Sequence, residues 1–243
     1  MLFRSGADEQ EIDAFRQKHL WFQSVRKYYI DQAKAAGNTE EEIRLLNESK
    51  RLDADSSYLL HSYSKRLIEL YHLENNHTQE KAERISDFMA YQSAEIEDFR
   101  TLRKMYSVEE WKKERVELIK SRTDVDKRCL LMAEERMIPE LYGLISEQEE
   151  KLHLFNKYGF LLVQDYSEPI LQEYCKYVSS LADYARNRAS YDELKRYLMR
   201  MQQYNGGSDL VRTLCKEWIN KYPTRKVMVQ ELRTMLGSLL TSG

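Results

Sequence analysis

The sequence predicts an all-α protein, on three observations. Its 243 residues include only 8 Gly and 3 Pro, too few turn formers for a many-stranded β-protein, and at 42% hydrophobic it is too apolar for disorder. Helix-start signals recur along the chain. Between them the apolar residues return every three or four positions, the period of a helix rather than a strand.

The elements follow in order. Residues 1–8 form a flexible start to a single helical-repeat domain over 9–240, and a subdivision, if there is one, falls near 148–166. Gly37-Asn38 can adopt the left-handed conformation that ends a helix, and Thr39 with Glu42 reads as a capping box that starts the next. In 58–73, Tyr58, Leu59, Tyr63, Leu67, Leu70, Tyr71 and Leu73 form a helical stripe. Ser107 with Glu110 is a second capping box, ahead of Trp111, Val116, Leu118 and Ile119. Pro139, Pro169 and Pro223 adjoin turns, where a missing N–H costs nothing, so none requires a kink. Phe160-Leu161-Leu162-Val163 resembles a short strand by composition, yet in a helical chain it reads as helix interrupted at Gly159. Ser190 with Glu193 is a third capping box, and Asn205-Gly206-Gly207 stops the helix that follows it.

Turns near 38, 76, 107, 137, 167 and 206 are spaced by about 34 residues on average, as in stacked helix-turn-helix repeats. Three stretches read as degenerate copies of one unit: 30–46, 68–85 and 131–145. The fold predicted is a tetratricopeptide-like superhelix of αα-hairpins.

Composition excludes more function classes than it selects. With 38 basic and 40 acidic residues the net charge is −2, so a coat for nucleic acid or anionic membrane is not indicated. Cys129, Cys175 and Cys215 are too widely separated for a disulfide framework or a zinc pair, which suits a reducing, cytoplasmic setting. No stretch approaches the roughly 20 apolar residues of a membrane helix, and the amino terminus lacks a signal-peptide core. Phosphate loops, G-x-S-x-G and H-E-x-x-H are absent from the sequence, so no catalytic residue, cofactor or metal is assigned. His61 and His72 share a helix face roughly 16 Å apart, too far for one metal, whereas His72 and His77 can meet across a turn.

The partner-binding residues are sought in the carboxyl-terminal third. Seven of 17 tyrosines fall in 166–204, either as exposed ring faces for a peptide or single-stranded nucleic acid, or as an interhelical seam. From Lys176 onward 12 Lys and Arg face 6 Asp and Glu, so this end is basic and the rest acidic. Tyr177, Tyr184, Arg186, Arg188, Tyr191, Lys195, Arg196, Arg200, Arg225 and Lys226 are the residues nominated, for a protein or peptide partner first and nucleic acid second. Met228, Leu232, Met235, Leu236 and Leu239 line one face of the last helix, as a cap of the array or a homodimer contact.

Two segments carry a family resemblance. Ala185-Arg-Asn-Arg-Ala-Ser-Tyr191, Leu194-Lys-Arg-Tyr-Leu-Met-Arg-Met201, Gly206-Gly207, Trp218 and Tyr222-Pro-Thr-Arg with Gln230-Glu-Leu-Arg233 form the first; Phe15 to Tyr71, with Val25-Arg26 and Leu67-Ile-Glu-Leu-Tyr71, the second. Together they are similar to the helical carboxyl-terminal region of bacterial SWIM zinc-finger proteins over roughly 10–236. The finger's CxC and CxH pairs are missing, so its metal and nucleic-acid functions are not carried over. The resemblance implies a helical-repeat module that assembles proteins. An interaction scaffold is therefore expected, ahead of a nucleic-acid-associated protein and of an enzyme whose site is built from distant helices.

Overall fold

A computed structural model describes residue 15 and residues 18–241. Among these residues the architecture is all-α, with thirteen α-helices and no strand. The chain falls into two compact units, 1–123 and 124–243.

The first unit contains α1 (Gln23–Ala35), α2 (Thr39–Leu52), α3 (Ser57–Leu73), α4 (His77–Ala90), α5 (Ile96–Lys104) and α6 (Val108–Lys120). Helices α1 to α5 each pack against the next, and α6 packs against α4. The core passes along this series. Leu45 packs with Leu20 and Ala33, Leu46 meets Leu67, Leu70 and Tyr71, and further on the rings of Phe88, Phe99 and Trp111 pack in succession in tilted contacts, with centroids 5.8 and 4.9 Å apart. Tyr58 and Leu73, at the two ends of α3, are largely exposed, so the stripe read from the sequence is buried only in its middle and lower turns.

The second unit contains α7 (Val125–Glu134), α8 (Ile138–Ser146), α9 (Lys151–Tyr158), a 3-10 turn (Gly159–Leu161), α10 (Val163–Tyr184), α11 (Arg188–Met201), α12 (Gly207–Lys221) and α13 (Lys226–Thr241). The strand-like run 160–163 is thus a 3-10 turn entering a helix. Gly159 is required there. A Cβ at this position would lie 1.9 Å from the Tyr204 hydroxyl, which donates to the Phe155 carbonyl in the core at 3.3 Å.

The three stretches read as copies share one turn. Gly37, Asn75 and Arg136 all take positive φ, at 66°, 56° and 52°. The amide of the next residue donates to a carbonyl five positions back in every case: Asn38 to Ala33, Asn76 to Tyr71 and Met137 to Met132. This is the Schellman arrangement, which satisfies carbonyls left free at a helix end. Asn38 and Asn76 then cap the following helices by accepting from the Glu41 and Gln79 amides.

Three local expectations need correction. The cap of α2 is Asn38, not Thr39, and the cap of α11 is Asn187, with Ser190 as the third helical residue that reaches back to it. An amide oxygen one or three positions upstream reaches the free N–H groups of the first turn, and so the helix starts at the asparagine rather than at the hydroxyl. The Ser107 and Glu110 box is present as expected. Pro139 lies in the first turn of α8 and Pro223 in the turn after α12, but Pro169 is inside α10, which leaves helical geometry at Tyr166 (φ −129°, ψ 17°). The pyrrolidine offers no N–H to the carbonyl four residues back and crowds it, so a kink forms where a separate turn was expected.

Candidate interaction surfaces

In the second unit, the structure divides the ten nominated residues between internal ties and free surface. Tyr191 is buried against Leu194, Leu198 and the neighbouring α13. Tyr177 is half-buried; its hydroxyl donates to Glu193 at 2.8 Å, and burial together with that carboxylate raises its pKa. Tyr174 and Tyr204 are in the core, with Tyr197 beside them. The tyrosine-rich stretch is therefore an interhelical seam, and in it only Tyr184, 80% exposed, presents most of its ring to solvent.

Several cations are also spent inside the unit. Lys195 pairs with Glu231 across α11 and α13 at 3.0 Å. Arg225 donates to the Ala182 and Asp183 carbonyls at the end of α10 and lies 4.0 Å over the Tyr222 ring. Arg186 caps the same end through Asp183 and Ala185, at 2.6 and 2.9 Å. The Asp183 carboxylate accepts from Tyr222 and Lys221, whose hydroxyl and ammonium hold it below the ordinary Asp value. Arg188, Arg196, Arg200 and Lys226 remain exposed.

The last helix spends its apolar face within the unit. Met228, Leu232, Met235 and Leu239 are buried, and α13 packs against α11 and α12. Of the five residues nominated there as a cap or a homodimer contact, only Leu236 stays partly exposed, because the preceding helices cover the other four.

The first unit holds a surface that the sequence reading missed. A groove of about 330 Å3 is bounded by α1, α2 and α3. Its apolar floor is Ile30, Leu46, Leu59 and Tyr63, and one wall is the stripe Gln23, Lys27, Ile30 and Lys34, spaced by four, three and four residues on α1. The opposite wall carries Ser62 and Arg66.

Ion pairs fix this shape. Arg66 donates twice to Glu42, at 2.6 and 3.0 Å, and once to Glu69 at 2.8 Å. Glu42 is buried beneath it, so α2 and α3 are clamped at the groove's edge. Tyr63 donates to Asp53 at 2.7 Å, and both carboxylate oxygens of Asp53 accept from the Arg26 guanidinium at 2.5 Å. The signal in the sequence was the alternation of Lys27, Asp31 and Lys34 around Ile30, which reads equally well as an ordinary solvated face.

The histidine expectation has a definite outcome. His72 and His77 do converge, on the buried Glu80 carboxylate, at 3.2 and 3.6 Å. Arg84 also pairs with that carboxylate; against the upward push of burial, Arg84 and His72 bring it below the usual Glu value. Among the described residues no group of three or more His, Cys, Asp or Glu is arranged to hold a metal ion, and no helix is long and apolar enough to cross a membrane. Set against known protein families, curated proteins and solved structures, the chain matches none.

Proposed function

We propose that the protein is a non-catalytic, tetratricopeptide-like interaction scaffold that holds a protein partner through the groove of its first unit. The observation that carries this reading is the groove itself: an apolar floor held open between three helices by the Arg66 and Glu42 pair. A preformed concavity costs little ordering on binding, which is what a recognition surface requires. Consecutive hairpins with a shared Schellman turn support the repeat character, and so does the resemblance of 10–236 to the helical region of SWIM proteins.

The test is affinity capture from native cell lysate with the intact chain and with Leu59→Glu, at low and high salt. A partner held by the first and lost by the second supports the reading; equal capture by both rejects the groove. A second reading, association with nucleic acid, draws on the exposed Arg188, Arg196, Arg200 and Lys226. No shift of single-stranded or duplex nucleic acid at about 50 mM salt rejects it.

A further inference from the structure

We infer that the partner segment is an acidic amphipathic helix, with carboxylates two turns apart on either side of one apolar side chain. The inference rests on the groove being the binding surface and adds the chemistry of what enters it.

Charge at the groove is unevenly available. The carboxylate of Glu42 and the guanidinium of Arg66 satisfy one another, and Arg66 has a further partner in Glu69, so neither is open to a ligand. Lys27 and Asp31 form an exposed pair at 3.3 Å, of the kind that solvent screens and a ligand can replace at little cost. Lys34 is exposed at the carboxyl-terminal end of the same stripe, and among the described residues no carboxylate is paired with it. The accessible rim is therefore two ammonium groups with one carboxylate between them.

The spacing sets the complement. Lys27 and Lys34 are seven residues apart, about 10.5 Å along the axis of α1. Two carboxylates separated by two helical turns on a partner match that distance, and the side chain midway between them faces Ile30, Leu59 and the groove floor. A helix laid along α1 meets all three requirements with one face. A nucleic acid does not fit as well, because its phosphates would meet Asp31 in the middle of the rim and would leave the apolar floor uncovered.

The experiment uses the full chain and fluorescein-labelled, alanine-based helical peptides of about 14 residues with one central leucine. The flanking positions, two turns apart, carry Glu, Gln or Lys, and binding is read by anisotropy at low salt. The Glu peptide is expected to bind about fivefold to tenfold more tightly than the Gln peptide, the effect of two screened pairs. The double variant Lys27→Glu, Lys34→Glu should reverse the order of the Glu and Lys peptides; both lysines are exposed, and an unchanged thermal melt confirms that the variant folds. Equal binding of the Glu and Gln peptides, or an unreversed order in the double variant, overturns the acidic assignment and leaves the groove reading in place. Failure of every leucine peptide to bind overturns both.

Discussion

Replacing Arg26 with alanine is expected to destabilise the first unit by about 3–5 kcal/mol, the usual cost of removing one partner from a buried ion pair. Arg26 is 1% exposed. Its guanidinium donates to the Leu20 and Trp21 carbonyls at 2.8 and 2.9 Å, to the Ser49 hydroxyl at 3.1 Å and to both oxygens of Asp53 at 2.5 Å. Alanine leaves a buried carbonyl without its donor and a carboxylate, itself only 16% exposed, without its cation. At about 2–4 °C per kcal/mol for a chain of this size, the melting temperature should fall by about 10 °C. Urea denaturation followed by circular dichroism measures the loss.

The pH dependence gives a second readout. Burial pushes the Asp53 carboxyl up, but the Arg26 guanidinium and the Tyr63 hydroxyl outweigh it and leave the group below its ordinary value of 3.8. A carboxyl whose folded pKa is depressed contributes stability in full above the unfolded value and loses it as pH falls through the folded one. The gap between the wild type and Arg26→Ala should therefore be widest near neutral pH and narrow below 3.8. A loss under about 1 kcal/mol, or a gap that does not change between neutral and acid pH, refutes the idea that this pair fastens the first unit.

Three further substitutions test the packing. Gly159→Ala should cost about 1–3 kcal/mol in a thermal melt, because the new methyl meets a Tyr204 side chain that the core prevents from moving. Arg136→Gly should raise stability by about 1 kcal/mol in urea titrations, since Arg136 occupies the left-handed conformation that Gly37 adopts freely in the equivalent turn; an unchanged midpoint would mean the strain is relieved elsewhere. Leu70→Asp should cost several kcal/mol by burying an unpaired charge beside Leu46 and Leu67, and a melting temperature within error of the wild type would show that α3 is turned the wrong way.

What could be read from the sequence was local. Gly37, the Ser107 box and the spacing of Leu67, Leu70 and Tyr71 announce helix ends and buried faces because backbone sterics and helical period act within a few residues. Turns near 76 and 137 fit the spacing of the helix ends, although neither Asn75 nor Arg136 is a residue type that requires positive φ. What could not be read depends on neighbours distant in sequence. Arg26, Arg122 and Arg225 all tie down carbonyls near helix ends, Arg122 through Phe88 and Tyr91, and nothing next to them in the chain separates a buried clamp from an exposed cation. Arg225 and Lys195 were accordingly placed on a binding face that they help to hold together from within. Similarly, the apolar stripe of α13 carries no mark that α11 and α12 cover it. The groove of the first unit is composed from three helices, and Ile30, Leu46 and Leu59 become one floor only after folding.

Site-specific photocrosslinking tests the scaffold reading most directly. A benzophenone side chain at Ser62, on the exposed wall of the groove, is irradiated in native cell lysate, with the same group at Tyr184 in the second unit as the control. The expected result is a discrete protein adduct from position 62 that disappears with Leu59→Glu and is not formed from position 184. Adducts that form equally from both positions, or that persist in the Leu59→Glu variant, would contradict the groove as the surface by which this protein holds its partner.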